Sequence, residues 1–183
     1  MNCQNCGGPM RMEAEKRYLV CDYCTSIFLL EESADGVRVT GEPSSVFCPV
    51  CRVALEEAYV DQFQVLHCPK CKGLLFKQIL FLPIIEYLRL KNPEPPVTPP
   101  PFNPRELERK IFCPHCKQKM DTHPYGGPGN IVIDNCPRCL VNWLDYNELS
   151  RIVRSSDRRI WNRDGRMHEH LRRLFSREPE DDD

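Results

Sequence analysis

Residues 136–149 read CPRCLVNWLDYNEL: two cysteines separated by two residues, then a tryptophan, then the start of a helical pattern. Such a CxxC pair can be half of a catalytic site, half of a redox centre or half of a metal site. One pair does not distinguish these, but the chain holds twelve cysteines, and all of them fall into six such pairs. The pairs are Cys3/Cys6, Cys21/Cys24, Cys48/Cys51, Cys68/Cys71, Cys113/Cys116 and Cys136/Cys139.

The six pairs form three consecutive doublets, whose two halves are separated by 14, 16 and 19 residues in turn. Doublets near this spacing are typical of zinc held by four thiolates. A module of about 40 residues buries too little apolar surface to fold alone and usually needs a metal or disulfides. We therefore predict three zinc ions, each with four cysteines. Four protein ligands fill a tetrahedral zinc, so the sites are expected to be structural and the protein not to be an enzyme.

The expected compartment is the cytoplasm. The N-terminal residues 1–17 contain no apolar core behind a basic start, so a signal peptide is not expected. The longest apolar stretch, 74–90, is interrupted by charged residues and a proline, so no membrane span is predicted. A reducing cytosol disfavours structural disulfides and favours metal binding by paired cysteines.

Several alternatives stay open at this point. A rubredoxin-like iron or redox-active cysteines could use the same pairs, and zinc ejection on oxidation would need exposed, low-pKa thiols. Local pairing within each doublet closes the shorter loops, but ribbons one and two could also interleave their pairs. His67 and His115 neighbour ligands and are interpreted as bystanders.

The three doublets carry similar flanks, with a strand-like run before the third cysteine and apolar residues after the fourth, so the chain contains a degenerate repeat. A run with seven prolines, 92–104, is interpreted as a semi-rigid spacer that isolates the third module. The fold class is small metal-stabilised α+β: three ribbons of antiparallel hairpins, with short helices after ribbons two and three. The predicted boundaries are 1–40 for ribbon one, 41–91 for ribbon two with an apolar helical segment, 92–104 for the linker, 105–154 for ribbon three with a capped helix, and 155–183 for an arginine-rich helix and acidic tail.

The residues after Cys139 have the form of a helix start. Asp145 and Glu148 are spaced as a capping box, in which Asp145 accepts the backbone N–H of Glu148 and Glu148 reaches back to the cap. Trp143 is interpreted as a lid over the zinc knuckle, and a tryptophan that stacks on a ligand is the alternative. In the segment 74–90, Pro83 is expected to split or kink the helix.

Ribbon three resembles the bacterial transcription-factor-IIB-like zinc ribbons. The shared pattern is CPxC, a strand ending in I-D-x-C, CPRC and W-L-D-x-x-E-L, and here it comprises the four cysteines with Ile133, Asp134, Trp143, Leu144, Asp145, Glu148 and Leu149. That family usually has glycine where this chain has Leu140. Ribbon two resembles a diverged copy, with Leu75 and Lys77 in place of Trp143 and Asp145, and ribbon one resembles zinc ribbons in general. The resemblance implies a zinc-ribbon fold and a loosely defined transcription or nucleic-acid role.

Two surfaces are candidate partner sites. The apolar segment 74–90 is expected to pack on ribbon one or to form a subunit or partner interface. Residues 151–177 hold nine arginines against three acidic residues and are suited to nucleic acid or to an acidic protein. The function expected first is a zinc-binding adaptor that mediates protein–protein interaction, and the alternative is a nucleic-acid-binding protein that uses the arginine-rich segment. The sequence leaves the oligomeric state open.

Overall fold

A computed structural model describes residues 2–13, 18–32, 36–91, 101, 103–125 and 131–155 of the chain. The arginine-rich helix and acidic tail predicted beyond residue 155, and most of the proline-rich linker, lie outside these residues. Within them, no helix is long and apolar enough to cross a membrane.

The described residues form short antiparallel strands and two helices, consistent with the predicted small α+β class. Alternation between buried and exposed side chains marks the strands, as in Phe63–His67. The strands are β1 Met10–Glu13, β2 Tyr18–Cys21, β3 Ile27–Leu29, β4 Glu31–Glu32, β5 Val37–Phe47, β6 Ala54–Val60, β7 Phe63–His67, β8 Leu74–Lys77, β9 Asp121–Pro124, β10 Val132–Cys136 and β11 Val141–Leu144. The helices are α1 Gln78–Lys91 and α2 Glu148–Arg154, with a 3-10 turn at Pro104–Glu108.

These strands build two sheets. Ribbon one contributes a three-stranded sheet in the order β1-β2-β3. The other strands form an eight-stranded sheet in the order β4-β5-β6-β7-β8-β11-β10-β9, so ribbons two and three share one sheet. The spacer therefore does not isolate ribbon three. A linker of this length lets the last strand of one ribbon lie against the last strand of the other, and the hydrogen bonds of the shared edge hold them together.

The strands β8 and β11 that join the two ribbons pair with the symmetry expected of a repeat. Leu75 lies opposite Trp143, and these two occupy the same position counted from the second CxxC of each ribbon. On either side, Leu74 lies opposite Leu144 and Phe76 opposite Asn142, which are again exchanged equivalents. The pair Leu75–Trp143 thus lies on a local pseudo-twofold axis, and ribbons two and three form a pseudo-dimer within one chain.

The shared sheet has a hydrophobic core on each face. The core on the helical face joins Phe81, Ile84 and Ile85 of α1 to Ile133 of β10 and Ile152 of α2, among others. The core on the opposite face contains the cysteines of ribbons two and three, Trp143, Leu75 and their neighbours. Both ribbons contribute to both cores, so the described residues of the two ribbons share their hydrophobic cores.

The apolar segment 74–90 is largely packed inside the molecule, and its use as a subunit or partner interface stays a prediction. It packs on ribbon three, through the contact of α1 with α2 and β11, and it shares its core with Val37 of β5, which lies in the range predicted for ribbon one. Ile85 is fully buried, while Leu82 is 54% exposed. Pro83 does not split the helix, which runs without interruption from Gln78 to Lys91. Burial of side chains on both sides of Pro83 offsets the one backbone hydrogen bond that the proline removes.

Candidate metal centres

Six turns of one geometry position the cysteines. In each turn, the residue after the second cysteine donates its backbone N–H to the carbonyl of the first cysteine, over 2.8 to 3.0 Å. Each of these residues has positive φ, which closes the turn tightly enough to direct both sulfurs to one point. They are Gly7 at 75°, Thr25 at 57°, Arg52 at 61°, Lys72 at 62°, Lys117 at 61° and Leu140 at 54°. Leu140 thus adopts the backbone geometry for which the resembling family uses glycine.

The turns bring the twelve sulfurs into three groups of four, and within each group all sulfurs lie within 4.8 Å of one another. The groups are Cys3, Cys6, Cys21 and Cys24; Cys48, Cys51, Cys68 and Cys71; and Cys113, Cys116, Cys136 and Cys139. The cysteines are thus grouped within each doublet, and ribbons one and two do not interleave. No cysteine of the three groups forms a disulfide.

The sulfur spacing fits zinc. A tetrahedral ion with Zn–S bonds of about 2.3 Å separates its sulfurs by about 3.8 Å. The Sγ atoms of Cys48 and Cys71 are 3.7 Å apart, as are those of Cys116 and Cys136. In ribbon one the Sγ atoms of Cys3 and Cys24 are 3.5 Å apart. Each group can therefore hold one zinc ion through four thiolates, and such an ion has no open coordination position.

Backbone amides also point at the sulfurs. The N–H groups of Val50 and Cys51 donate to the sulfur of Cys48, over 3.4 and 3.2 Å. The N–H of Cys71 donates to Cys68 and that of Cys139 to Cys136, each over 3.4 Å. Donors aimed at sulfur stabilise the thiolate, which is the form that binds metal.

The thiol pKa values within a group are pushed apart. Burial raises the pKa of Cys48 to about 11. Burial and the neighbouring Cys116 and Cys113 raise the pKa of Cys139 to about 12, while the backbone N–H of Gln118 lowers the pKa of Cys116 to about 7. In ribbon one, hydrogen bonding from Ser26 lowers the pKa of Cys24 to about 6. Four thiolates repel one another in so small a volume, and a divalent cation is the species that allows all four to ionise.

Trp143 lies between the two fused ribbons. Its side chain is fully buried, so the interpretation that it stacks on a ligand is wrong. A Cβ atom built on Gly73 would lie only 2.2 Å from Cζ2 of the indole, which shows that the ring rests directly on Gly73. Gly73 follows the second CxxC of ribbon two. The lid predicted for Trp143 is present, but it covers a knuckle of the neighbouring ribbon.

A polar network holds the tryptophan in place. The indole Nε1–H donates to Oδ1 of Asp145 over 3.0 Å, and the guanidinium of Arg109 donates to both oxygens of the same carboxylate. Arg109 also lies 3.9 Å from Asp134, whose Oδ1 accepts from Thr122 over 2.5 Å. Arg109 is a residue that the sequence analysis missed, because it precedes the ribbon motif and nothing near it in sequence indicates its partner.

The capping box forms only in part. Oε2 of Glu148 accepts the backbone N–H of Asp145 over 2.7 Å, as predicted. The prediction of the reciprocal bond is wrong, because the Asp145 carboxylate accepts from Trp143 and Arg109 instead. The N-cap residue of α2 is Asn147, whose side chain makes no cap bond. Burial raises the pKa of Glu148 to about 8, against the opposing effect of the Asp145 N–H.

The two histidines beside the cysteines lie outside the three groups. His67 is buried, and its Nδ1 lies 2.7 Å from Oε1 of Glu56. His115 is exposed on the first knuckle of ribbon three. Neither is a member of a four-cysteine group.

The fold and the three four-cysteine groups together define a zinc-ribbon protein with three structural zinc sites. Residues 47–87 and 112–155 each match the family described as transcription factor zinc-finger. The resemblance of ribbons two and three to that family is thereby confirmed, whereas ribbon one lies outside both matched regions. No curated protein and no solved structure matches the chain.

Proposed function

We propose that this protein is a non-enzymatic zinc-ribbon adaptor that binds a protein partner on ribbon one. The observation that carries the proposal is an apolar face on the ribbon-one sheet. Ile27 and Leu29 alternate along β3 and are 58% and 74% exposed. Their cross-strand neighbours Val20 and Tyr18 extend the same face on β2. We call these four residues the ribbon-one face.

The surroundings of this face suit a protein partner. Arg11 and Glu13 on β1 lie opposite Val20 and Tyr18 and form an ion pair of 2.8 Å, which gives the face a charged rim. An apolar centre with a polar rim is the usual arrangement of a protein interface. Within the described residues, β3 pairs only with β2, so its outer edge is open to a further strand. The fused ribbons two and three then act as the scaffold.

The proposal is tested by replacing Ile27 and Leu29 with serine. A matched control replaces Ile79 and Leu82 of α1, which are 80% and 54% exposed and lie outside ribbon one. Tagged wild type and both variants are used to capture partners from nuclease-treated extract, and each captured protein is then purified and titrated against all three. The expected partner binds wild type and the α1 variant but not the ribbon-one variant. Equal binding by both variants contradicts the proposal, as does a partner that is captured from untreated extract but not from nuclease-treated extract.

A second candidate function is nucleic-acid binding, and exposed basic side chains on the knuckles of the fused ribbons favour it. They are Arg52, Lys70, Lys72, Lys117, Lys119 and Arg138. With the arginines of 151–177 they could neutralise phosphates.

Salt dependence separates the two functions. Affinity for duplex DNA would fall by roughly 0.9 log unit per tenfold increase in salt for each phosphate contacted. Removal of residues 156–183 leaves α2 intact and should weaken such binding strongly. If the truncated protein and an Arg52→Ala/Lys117→Ala variant bind DNA and RNA as wild type does, the basic residues are not a nucleic-acid site.

A further inference from the structure

The contact on the pseudo-twofold axis is asymmetric in size. Trp143 and Leu75 are equivalent residues of the two ribbons, and so are Val141 and Gly73. The large indole ring of Trp143 rests on Gly73. On the other side of the axis, Leu75 is smaller than Trp143 and Val141 is larger than Gly73. Trp143, Leu75 and Val141 belong to one buried core. The two sides are complementary to each other. A pairing of ribbon three with a second ribbon three would set Trp143 against Val141, where a side chain already fills the space that Gly73 leaves open.

Backbone pairing connects the Trp143–Gly73 contact to the metal knuckles of both ribbons. The carbonyl of Gly73 accepts the backbone N–H of Cys68 over 2.9 Å, so the residue that the indole contacts is part of the ribbon-two knuckle. Trp143 lies on β11, whose first residue pairs with Cys136 of ribbon three. The shared core includes Cys48 and Cys68 from ribbon two and Cys113 and Cys136 from ribbon three.

We propose that the zinc sites of ribbons two and three are coupled through the Trp143–Gly73 contact, while ribbon one binds its zinc independently. Zinc binding by a small ribbon is also its folding, because the site does not exist in the unfolded chain. When one of the fused ribbons loses its metal, the other loses the surface that buries its half of the shared core. The second ion then binds a less stable ribbon.

Ribbon one lacks these connections. Its strands β1, β2 and β3 pair only with one another in the described part of the chain, and the strands that follow, β4 and β5, belong to the shared sheet. Its cysteines belong to neither of the two cores found there. The metal of ribbon one therefore contributes to a separate folding unit.

The coupling is measured most cleanly in a Cys21→Ser/Cys24→Ser chain, which retains only the two sites of the fused ribbons. Increasing chelator is added and zinc per chain is counted by native mass spectrometry. The expected species carry two ions or none, with the one-zinc species far below the level for independent sites. In a separate variant, Cys136→Ser in ribbon three should lower the zinc affinity of ribbon two by roughly 5- to 150-fold, the usual range of coupling between sites.

Variants at the contact assign the coupling to Trp143 and Gly73. Gly73→Val alone should produce the one-zinc species, because the added side chain collides with the indole. The double variant Gly73→Val/Trp143→Leu recreates the pair found on the other side of the axis and should restore two-ion release. Ile79→Ala, at an exposed position of α1, is the control that should leave release unchanged.

Two results would overturn the proposal. One is a one-zinc species in the parent chain at the level of independent sites. The other is paired release that persists unchanged in Gly73→Val with the variant still folded. If Gly73→Val does not fold, the folded double variant decides the question: separate release of its two ions also rejects coupling through this contact.

Discussion

The Asp145 carboxylate accepts hydrogen bonds from the indole N–H of Trp143 and from the guanidinium of Arg109. It does not cap α2, and the side-chain hydrogen bond at the start of that helix is the one from the Asp145 N–H to Glu148. Its sequence spacing predicted a helix cap. The competing donors come from residues at the start of the ribbon and on β11, which local spacing does not reveal. In this chain, residues 143–148 therefore form a bridge between the tryptophan and the helix, with only half of a capping box.

The role of Asp145 predicts a difference between two substitutions. Asp145→Ala removes the acceptor of a buried indole N–H and should cost about 1–3 kcal/mol of the free energy of unfolding. Asp145→Asn keeps an oxygen at the same position and should cost less. Chemical denaturation of the zinc-loaded proteins measures both. Equal losses would show that the charge on Arg109, and not the indole bond, accounts for the effect.

Glu148 predicts a pH dependence of stability. Its pKa is about 8 in the folded chain and about 4.5 ordinarily, so the folded state holds a proton that the unfolded state releases between these values. The contribution of Glu148 to stability is therefore greatest below about pH 4.5 and is lost as the pH rises towards about 8.

The isosteric variant Glu148→Gln isolates this contribution. It keeps an oxygen to accept the Asp145 N–H and cannot ionise. The stability of wild type relative to the variant should fall as the pH is raised through that interval, measured with zinc in excess so that the cysteine sites stay loaded. A difference that is constant with pH would contradict a raised pKa at Glu148.

At the scale of elements, the knuckle turn is the unit that the sequence encodes best. Paired cysteines predicted all six turns, and the strand-like runs before the third cysteines correspond to β2, β7 and β10. The positive φ shared by the six following residues could not be read from their identities, because only Gly7 among them is a glycine. The other five adopt the left-handed conformation in the CxxC turn although their side chains disfavour it.

The knuckle geometry predicts opposite effects for two substitutions. Leu140 is 60% exposed and has a φ of 54°, so Leu140→Gly should stabilise ribbon three by about 1 kcal/mol. Gly7 has a φ of 75° with nothing near its missing side chain, so Gly7→Ala should destabilise ribbon one by about 1 kcal/mol through the backbone alone. Thermal unfolding with zinc present measures both. A stabilising Gly7→Ala would contradict the left-handed turn.

At the scale of the whole molecule, the sequence predicted the parts but not their assembly. The four ligands of each site and the helix after each of ribbons two and three follow from local spacing, and the family of those two ribbons follows from their resemblance to a known motif. The pairing of β8 with β11 does not, since strand partners far apart in sequence leave no local signal. The sequence feature that corresponds to this pairing is a difference in size at equivalent positions of the two ribbons: Trp143 against Leu75, and Val141 against Gly73. The proline-rich linker instead favoured the prediction that ribbon three is separate from ribbon two.

This assembly changes where a partner can bind. The apolar segment 74–90 is largely used inside the molecule, in the core that ribbons two and three share. The largest apolar exposure on a strand of the described chain is at Leu29 of ribbon one. A partner that recognises ribbon one would leave the fused pair free to serve as a rigid support.

The central claim is that the chain holds three structural zinc ions, each bound by four thiolates. Elemental analysis of protein purified without added metal, combined with X-ray absorption at the zinc edge, tests it directly. The account predicts close to three zinc ions per chain and four sulfur neighbours at about 2.3 Å for each. Iron in place of zinc, one ion or fewer per chain, or nitrogen and oxygen among the neighbours would contradict it.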